Sequence, residues 1–250
     1  MFKKLSESFG KITDAAKNNF TFLIICIAMV ILLIALAYSL EVLIAKKTGI
    51  PRKNDKLKVK RMILIAMLAA IADILMALDF PVWFAPSFLK FDFSDVPVLL
   101  SSLALGPVAG ITTEFIKVLV NLFINGTSTA FVGEFANFLV GCVFVIPASA
   151  LYFFKKTRKR ALCGLFIGTI LATVLGAVLN AYLLIPKYTE LFHMDISSII
   201  AMGADKNAAV NSFSTLIFCA IVPFNLMKFA IISLIVAVIY KYVSRLIKEQ

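Results

Sequence analysis

The chain has 250 residues and a net charge of +11, yet it is 61% hydrophobic and only 16% charged. A soluble domain carries about a quarter charged residues, so this composition excludes one and describes an integral membrane protein. The bases cluster in short loops beside the apolar runs, which excludes nucleic acid as their partner, and runs of about 20 residues without alternation exclude a β-barrel.

Residues 1–19 read as a mildly basic tail with four lysines and two acids. The run 20–45 follows. Ala35-Leu36-Ala37 looks like a signal-peptidase site, but the run continues to Ala45 and meets a strong basic stop, which fits a retained membrane helix better. Residues 46–61 form a linker with eight Lys or Arg against one Asp.

Six further apolar segments are expected at 62–80, 95–106, 108–124, 132–154, 161–185 and 216–240, which makes 62–240 one all-α membrane domain. Gly106, Pro107 and Gly110 suit a tight turn between the third and fourth runs of the chain. Five bases stand in 155–160, and three bases with one acid in the tail 241–250. The alternating loops are nearly neutral. Positive residues collect on the cytoplasmic side. The expected topology therefore places 46–61, 155–160 and 241–250 in the cytoplasm and the N-terminal tail outside.

Polar residues within apolar spans are costly and mark partners or ligands. In 62–80, Asp73 needs a partner. Ala66, Ala70 and Ala77 share a face of the same span, with Ala69 and Ala72 beside them. Small residues at this spacing allow close helix approach, either within the bundle or to another membrane protein. Glu114, Lys117 and Asn121 share a face of 108–124, where Glu114 and Lys117 can pair with each other. Glu134 and Asn137 open 132–154, either as a cap or as a cavity wall. Asn180 and Tyr182 lie near the outer end of 161–185. In the last span, Asn225 and Lys228 are three apart and project together. They suit either a ligand with acceptors or, for Lys228, an ion pair with a carboxylate such as Glu114 or Asp73.

Two loops look like more than connectors. Residues 80–95 hold the only tryptophan and five phenylalanines, which fits an interfacial belt or a surface for a planar ring. Residues 186–215 read as a long loop able to cover a site. The four cysteines form no C-x-x-C pair, and the single histidine stands alone, so no metal site or disulfide frame is expected. No phosphate loop, H-E-x-x-H or G-x-S-x-G is present, and no catalytic role is expected. A binding protein without its own energy source needs an energising partner.

Several of these residues resemble the substrate-binding S components of energy-coupling-factor (ECF) vitamin transporters, the riboflavin-specific type in particular. The resemblance covers about 62–240. It rests on Leu89 to Pro97 (LKFDFSDVP), Gly106-Pro107 with Gly110, Glu114 with Lys117, Gly133-Glu134 with Asn137, Asn180 with Pro186 and Tyr188, and Pro223-Phe224-Asn225 with Lys228. It implies a six-helix bundle that binds riboflavin or a related flavin as substrate, with no cofactor. Its implied partners are a transmembrane coupling subunit and two cytoplasmic ATPases. Asn225 and Lys228 are implied to meet the flavin ring, and the substrate contacts are expected among these two, Asn180, Tyr182, Glu134, Asn137, Phe91, Asp92, Phe93 and Asp95. Ala66, Ala70 and Ala77 are implied to meet the coupling subunit. Two departures stand out: the helix at 20–45 is additional, and Phe229 stands where a glycine is expected. A pantothenate-type S component and a membrane assembly subunit without a transported ligand are the alternatives.

Overall fold

A computed structural model describes residues 2–49 and 58–248. Most of the basic linker expected at 46–61 and the end of the tail 241–250 lie outside the described residues.

The apolar runs all become helices. The additional helix expected at 20–45 is α2 (Phe20–Thr48), and α3 (Lys58–Ala77) replaces the run 62–80. Then come α4 (Asp95–Leu105), α5 (Pro107–Asn125), α6 (Val132–Phe154) and α7 (Arg158–Leu179). The last membrane helix, α11 (Val222–Lys248), carries Asn225 and Lys228. Among the described residues, five helical stretches are long and apolar enough to cross a membrane. α4 is the short one. Its 11 residues rise about 16 Å, roughly half of a 30 Å hydrocarbon core, so the loop leading into it dips into the bundle.

The α4–α5 turn forms at the expected glycine and proline. Gly106 takes φ 112°, Pro107 opens α5, and a side chain at Gly110 would collide with Ser102 and Val145. Only the absence of a Cβ lets the two helices approach this closely. The core runs between α4, α6, α7 and α11. There Phe144 meets Phe229 with ring centroids 4.9 Å apart, so the phenylalanine found in place of glycine fills the middle of the bundle.

The structure adds to the expectations at four points. The tail 1–19 forms α1 (Phe2–Asn18). Phe9, Ile12 and Ala16 repeat at helical spacing, and α1 packs on the far end of α5. Phe9 lies 5.8 Å from Phe123, and Ser8 Oγ donates to the Ile124 carbonyl at 3.1 Å. Second, the aromatic loop 80–95 contains a two-stranded ribbon, β1 (Phe80–Pro81) against β2 (Lys90–Phe91), with Phe80 opposite Phe91.

Third, the loop expected at 186–215 is mostly helical. A π-helical turn at Asn180–Leu184 continues α7 into α8 (Ile185–Phe192), followed by α9 (Ile196–Ala204) and α10 (Phe213–Thr215). Pro186 directly follows the π-helical turn, so its missing N–H falls where the helix switches from i−5 to i−4 bonding. Fourth, a second π-helical turn at Leu216–Ile221 precedes α11 and absorbs Pro223 in the same way.

The additional helix α2 lies along α5 and α6. Ala37 is fully buried at the contact, beside Ile111, Phe138 and Cys142. At the basic end, Glu41 Oε1 accepts from the Val108 N–H at 3.1 Å and pairs with Arg61 of α3 at 3.3 Å. One carboxylate thus caps α5 and clasps three helices together.

Candidate functional site

The short α4 and the ribbon before it bring Asp92, Ser94 and Asp95 into the bundle. Asp92 Oδ1 accepts from the Ser94 N–H at 2.8 Å, which fixes the approach to α4. Its other oxygen, Oδ2, lies 2.8 Å from Lys228 Nζ. The partner of Lys228 is therefore the ribbon, and neither Glu114 nor Asp73. Burial would raise the Asp92 carboxyl, but the charges of Lys228 and Lys117 with hydrogen bonds from Lys228 and Ser94 outweigh it and hold the group at about 2.

A second buried set adjoins the first. Lys117 Nζ lies 2.7 Å from Glu114 Oε2 and 2.9 Å from Asp95 Oδ1, and it donates to Ser94 Oγ at 3.3 Å. The expected Glu114–Lys117 pair thus forms with a third member. Asp73 is buried on α3, and its Oδ1 has no hydrogen-bond partner among the described residues.

Above these charges lies a cavity of about 170 Å³. It gathers Asn137 from α6, Asn180 from the π-helical turn, Asn225 and Lys228 from α11, and Asp95 from α4. Phe88, Leu89 and Lys90 of the ribbon and Tyr188 of α8 contribute the remaining aromatic and polar wall, with Phe88 and Tyr188 ring centroids 6.0 Å apart. Asn225 Nδ2 donates to the Ile221 carbonyl at 2.9 Å, and Asn180 Nδ2 to the Gly176 carbonyl at 2.8 Å. Each amide is thereby oriented by its own helix, and neither oxygen is used in these bonds. Gly176 is needed here, because a Cβ would stand 2.9 Å from Asn225 Oδ1.

Of the expected site residues, Asn137, Asn180, Asn225, Lys228 and Asp95 line the cavity, and Asp92 holds Lys228 from beneath. Four do not reach it. Phe91 and Phe93 stack on each other at 5.0 Å and on Phe80, building the ribbon. Tyr182 is 81% exposed, turned away from Asn180 because residues two apart leave a helix on opposite sides. Glu134 accepts from the Thr127 and Thr129 hydroxyls at 3.2 Å each and so ties down the loop that starts α6. Phe88, Leu89, Tyr188 and Gly141 are additional lining residues. The aromatic richness of 80–95 was the signal for the first.

Ala66, Ala70 and Ala77 lie exposed along α3, whereas Ala69 and Ala72 are fully buried. The small-residue stripe is thus split. The second pair seats α3 in the bundle, and the first leaves a shallow open face.

A helical membrane bundle with an amide-lined cavity beside an aromatic ribbon describes a membrane-embedded binding protein for a small ligand. The family model for the substrate-specific component of ECF transporters matches residues 60–240, and the chain belongs to that family. It is similar to the riboflavin transporter RibU of Staphylococcus aureus (strain TCH60), 38% identical over 79% of this chain and 97% of the relative. The riboflavin transporter FmnP of Bacillus subtilis (strain 168) is 35% identical over 78% and 97%. A solved S component of a bacterial ECF transporter superposes with a TM-score of 0.60 at 36% identity, over 76% of this chain and 99% of that one. The chain is accordingly a multi-pass membrane transport component that acts with other ECF components, and it is not an enzyme.

Proposed function

We propose that this chain captures riboflavin outside the cell and delivers it to an ECF complex of one transmembrane coupling subunit and two cytoplasmic ATPases. The observation that carries the proposal is the convergence of Asn137, Asn180, Asn225 and Lys228 from separate elements on one cavity. The names of the relatives supply the ligand. In this reading Asn225 and Lys228 hydrogen-bond the carbonyl and imide edge of the ring, and Asn180 and Asn137 add donors and acceptors. The ribbon and Tyr188 cover the ring. Tyr182, Phe91 and Phe93 are left without ligand contact.

The basic ends face the cytoplasm in this reading, as positive residues prefer. The cavity mouth, α1 and the N-terminus then face outside, and the C-terminus lies in the cytoplasm. The exposed face of Ala66, Ala70 and Ala77 receives the coupling subunit. Uptake of labelled riboflavin tests the proposal in cells that lack their own flavin transport. Uptake should appear only when this chain and the energising subunits are expressed together. Equal uptake without this chain would refute it.

A further inference from the structure

Glu114 is fully buried; Lys117 Nζ stands 2.7 Å from its Oε2, and Oε1 has no hydrogen-bond partner among the described residues. A carboxylate deprived of water needs hydrogen-bond donors. Its surroundings do not provide enough. The buried cluster sets three carboxyl groups (Asp92, Asp95 and Glu114) against two ammonium groups (Lys117 and Lys228), so acceptor oxygens outnumber the ammonium contacts. Each of the three has one ammonium contact below 3 Å, and Asp92 has a backbone N–H besides. Oε1 of Glu114 has no donor beside it.

The position of that oxygen matters. Gly141 lines the cavity, and a side chain at 141 would collide with Glu114 Oε1. The carboxylate therefore lies directly behind Gly141, one residue back from the cavity lining. Asp95 and Lys228, which also line the cavity, belong to the same cluster.

We infer that Glu114 is a ligand-binding residue, whose Oε1 accepts a hydrogen bond from an O–H or N–H donor of the bound ligand. The inference rests on the riboflavin reading, since riboflavin offers both kinds of donor: the hydroxyls of its side chain and the imide N–H of its ring. A ligand donor at this point satisfies the unpartnered Oε1.

The test uses the full chain in detergent and fluorescence titration with three flavins: riboflavin, lumiflavin, which lacks the hydroxyls, and 3-methylriboflavin, which lacks the imide N–H. Glu114→Asp keeps the charge beside Lys117 but withdraws the oxygen by one methylene. It should weaken riboflavin about 10-fold or more, the scale of a hydrogen bond to a charged group. If a hydroxyl is the donor, 3-methylriboflavin is weakened equally and lumiflavin is spared. If the imide is the donor, the two analogues exchange places. An equal penalty on all three flavins, or none on any, means a packing role and overturns the inference. Glu114→Met, which removes the acceptor at similar length, carries the same panel should Glu114→Asp fail to fold. A wild-type chain that binds none of the three places the failure in the proposed function instead.

Discussion

Lys228 Nζ stands 2.8 Å from Asp92 Oδ2, so the last membrane helix is tied to a loop that lies 136 positions earlier in the chain. In the proposed reading Lys228 has two tasks, since one ammonium has three donors. One holds the ribbon over the cavity, and the others remain for a ligand.

The two tasks separate in a double variant. Lys228→Met removes the charge and keeps the stem, and riboflavin affinity should fall about 10- to 150-fold, the worth of a charge-assisted hydrogen bond. It also strands the Asp92 carboxylate, so stability should fall too. Adding Asp92→Asn should restore the melting temperature but not the affinity. Tight binding by the folded double variant would mean that Lys228 serves only Asp92.

The depressed Asp92 carboxyl makes a pH prediction. Its folded value of about 2 lies below its ordinary value. The ion pair therefore contributes stability that is fully present above pH ~4 and is lost as pH falls toward 2. The shift corresponds to roughly 2 kcal/mol. Thermal unfolding of wild type and Asp92→Asn should differ at pH 7 by a margin that stays flat down to pH ~5 and shrinks below pH ~4. A margin that grows on acidification would contradict the assignment.

Much of this architecture was legible in the sequence, and the exceptions have physical causes. The helical spans follow from apolar runs, and the α4–α5 turn from Gly106-Pro107. Asn225 and Lys228 declared themselves as polar groups three apart in an apolar span. The partner of Lys228 did not, because periodicity along one helix carries no information about a loop in another part of the chain. α1 was hidden for a different reason: its charges were weighed, but the helical repeat of Phe9, Ile12 and Ala16 was not. Tyr182 was grouped with Asn180 by proximity in sequence, although a two-residue spacing separates them around a helix. The stripe on α3 was visible, yet its division into a buried and an exposed half needed the neighbouring helices.

That division predicts a split phenotype. Leucine at Ala66 or Ala70 adds volume on the exposed face of α3, where it meets nothing in the bundle. Riboflavin binding in detergent should persist, while uptake through the assembled transporter should fall severalfold. Loss of binding in both variants would make the stripe internal packing.

The N-terminal helices predict a topology. α1 packs against the Phe123–Ile124 end of α5, opposite the end where Glu41 meets Arg61. A single cysteine near residue 10, in a background without the four native cysteines, should react with an impermeant reagent on intact cells. Labelling only after lysis would place α1 in the cytoplasm and reverse the proposed orientation.

The central claim is that this chain by itself binds riboflavin in the cavity beneath the ribbon. Purified without the other transporter components, it should quench the fluorescence of added riboflavin in a saturable titration with one site per chain. Gly176→Leu, which drives a side chain into the place of Asn225, should abolish that quenching while the helical circular dichroism signal is retained. Absence of saturable quenching by the folded wild-type chain, or full affinity in the folded Gly176→Leu variant, would contradict the account.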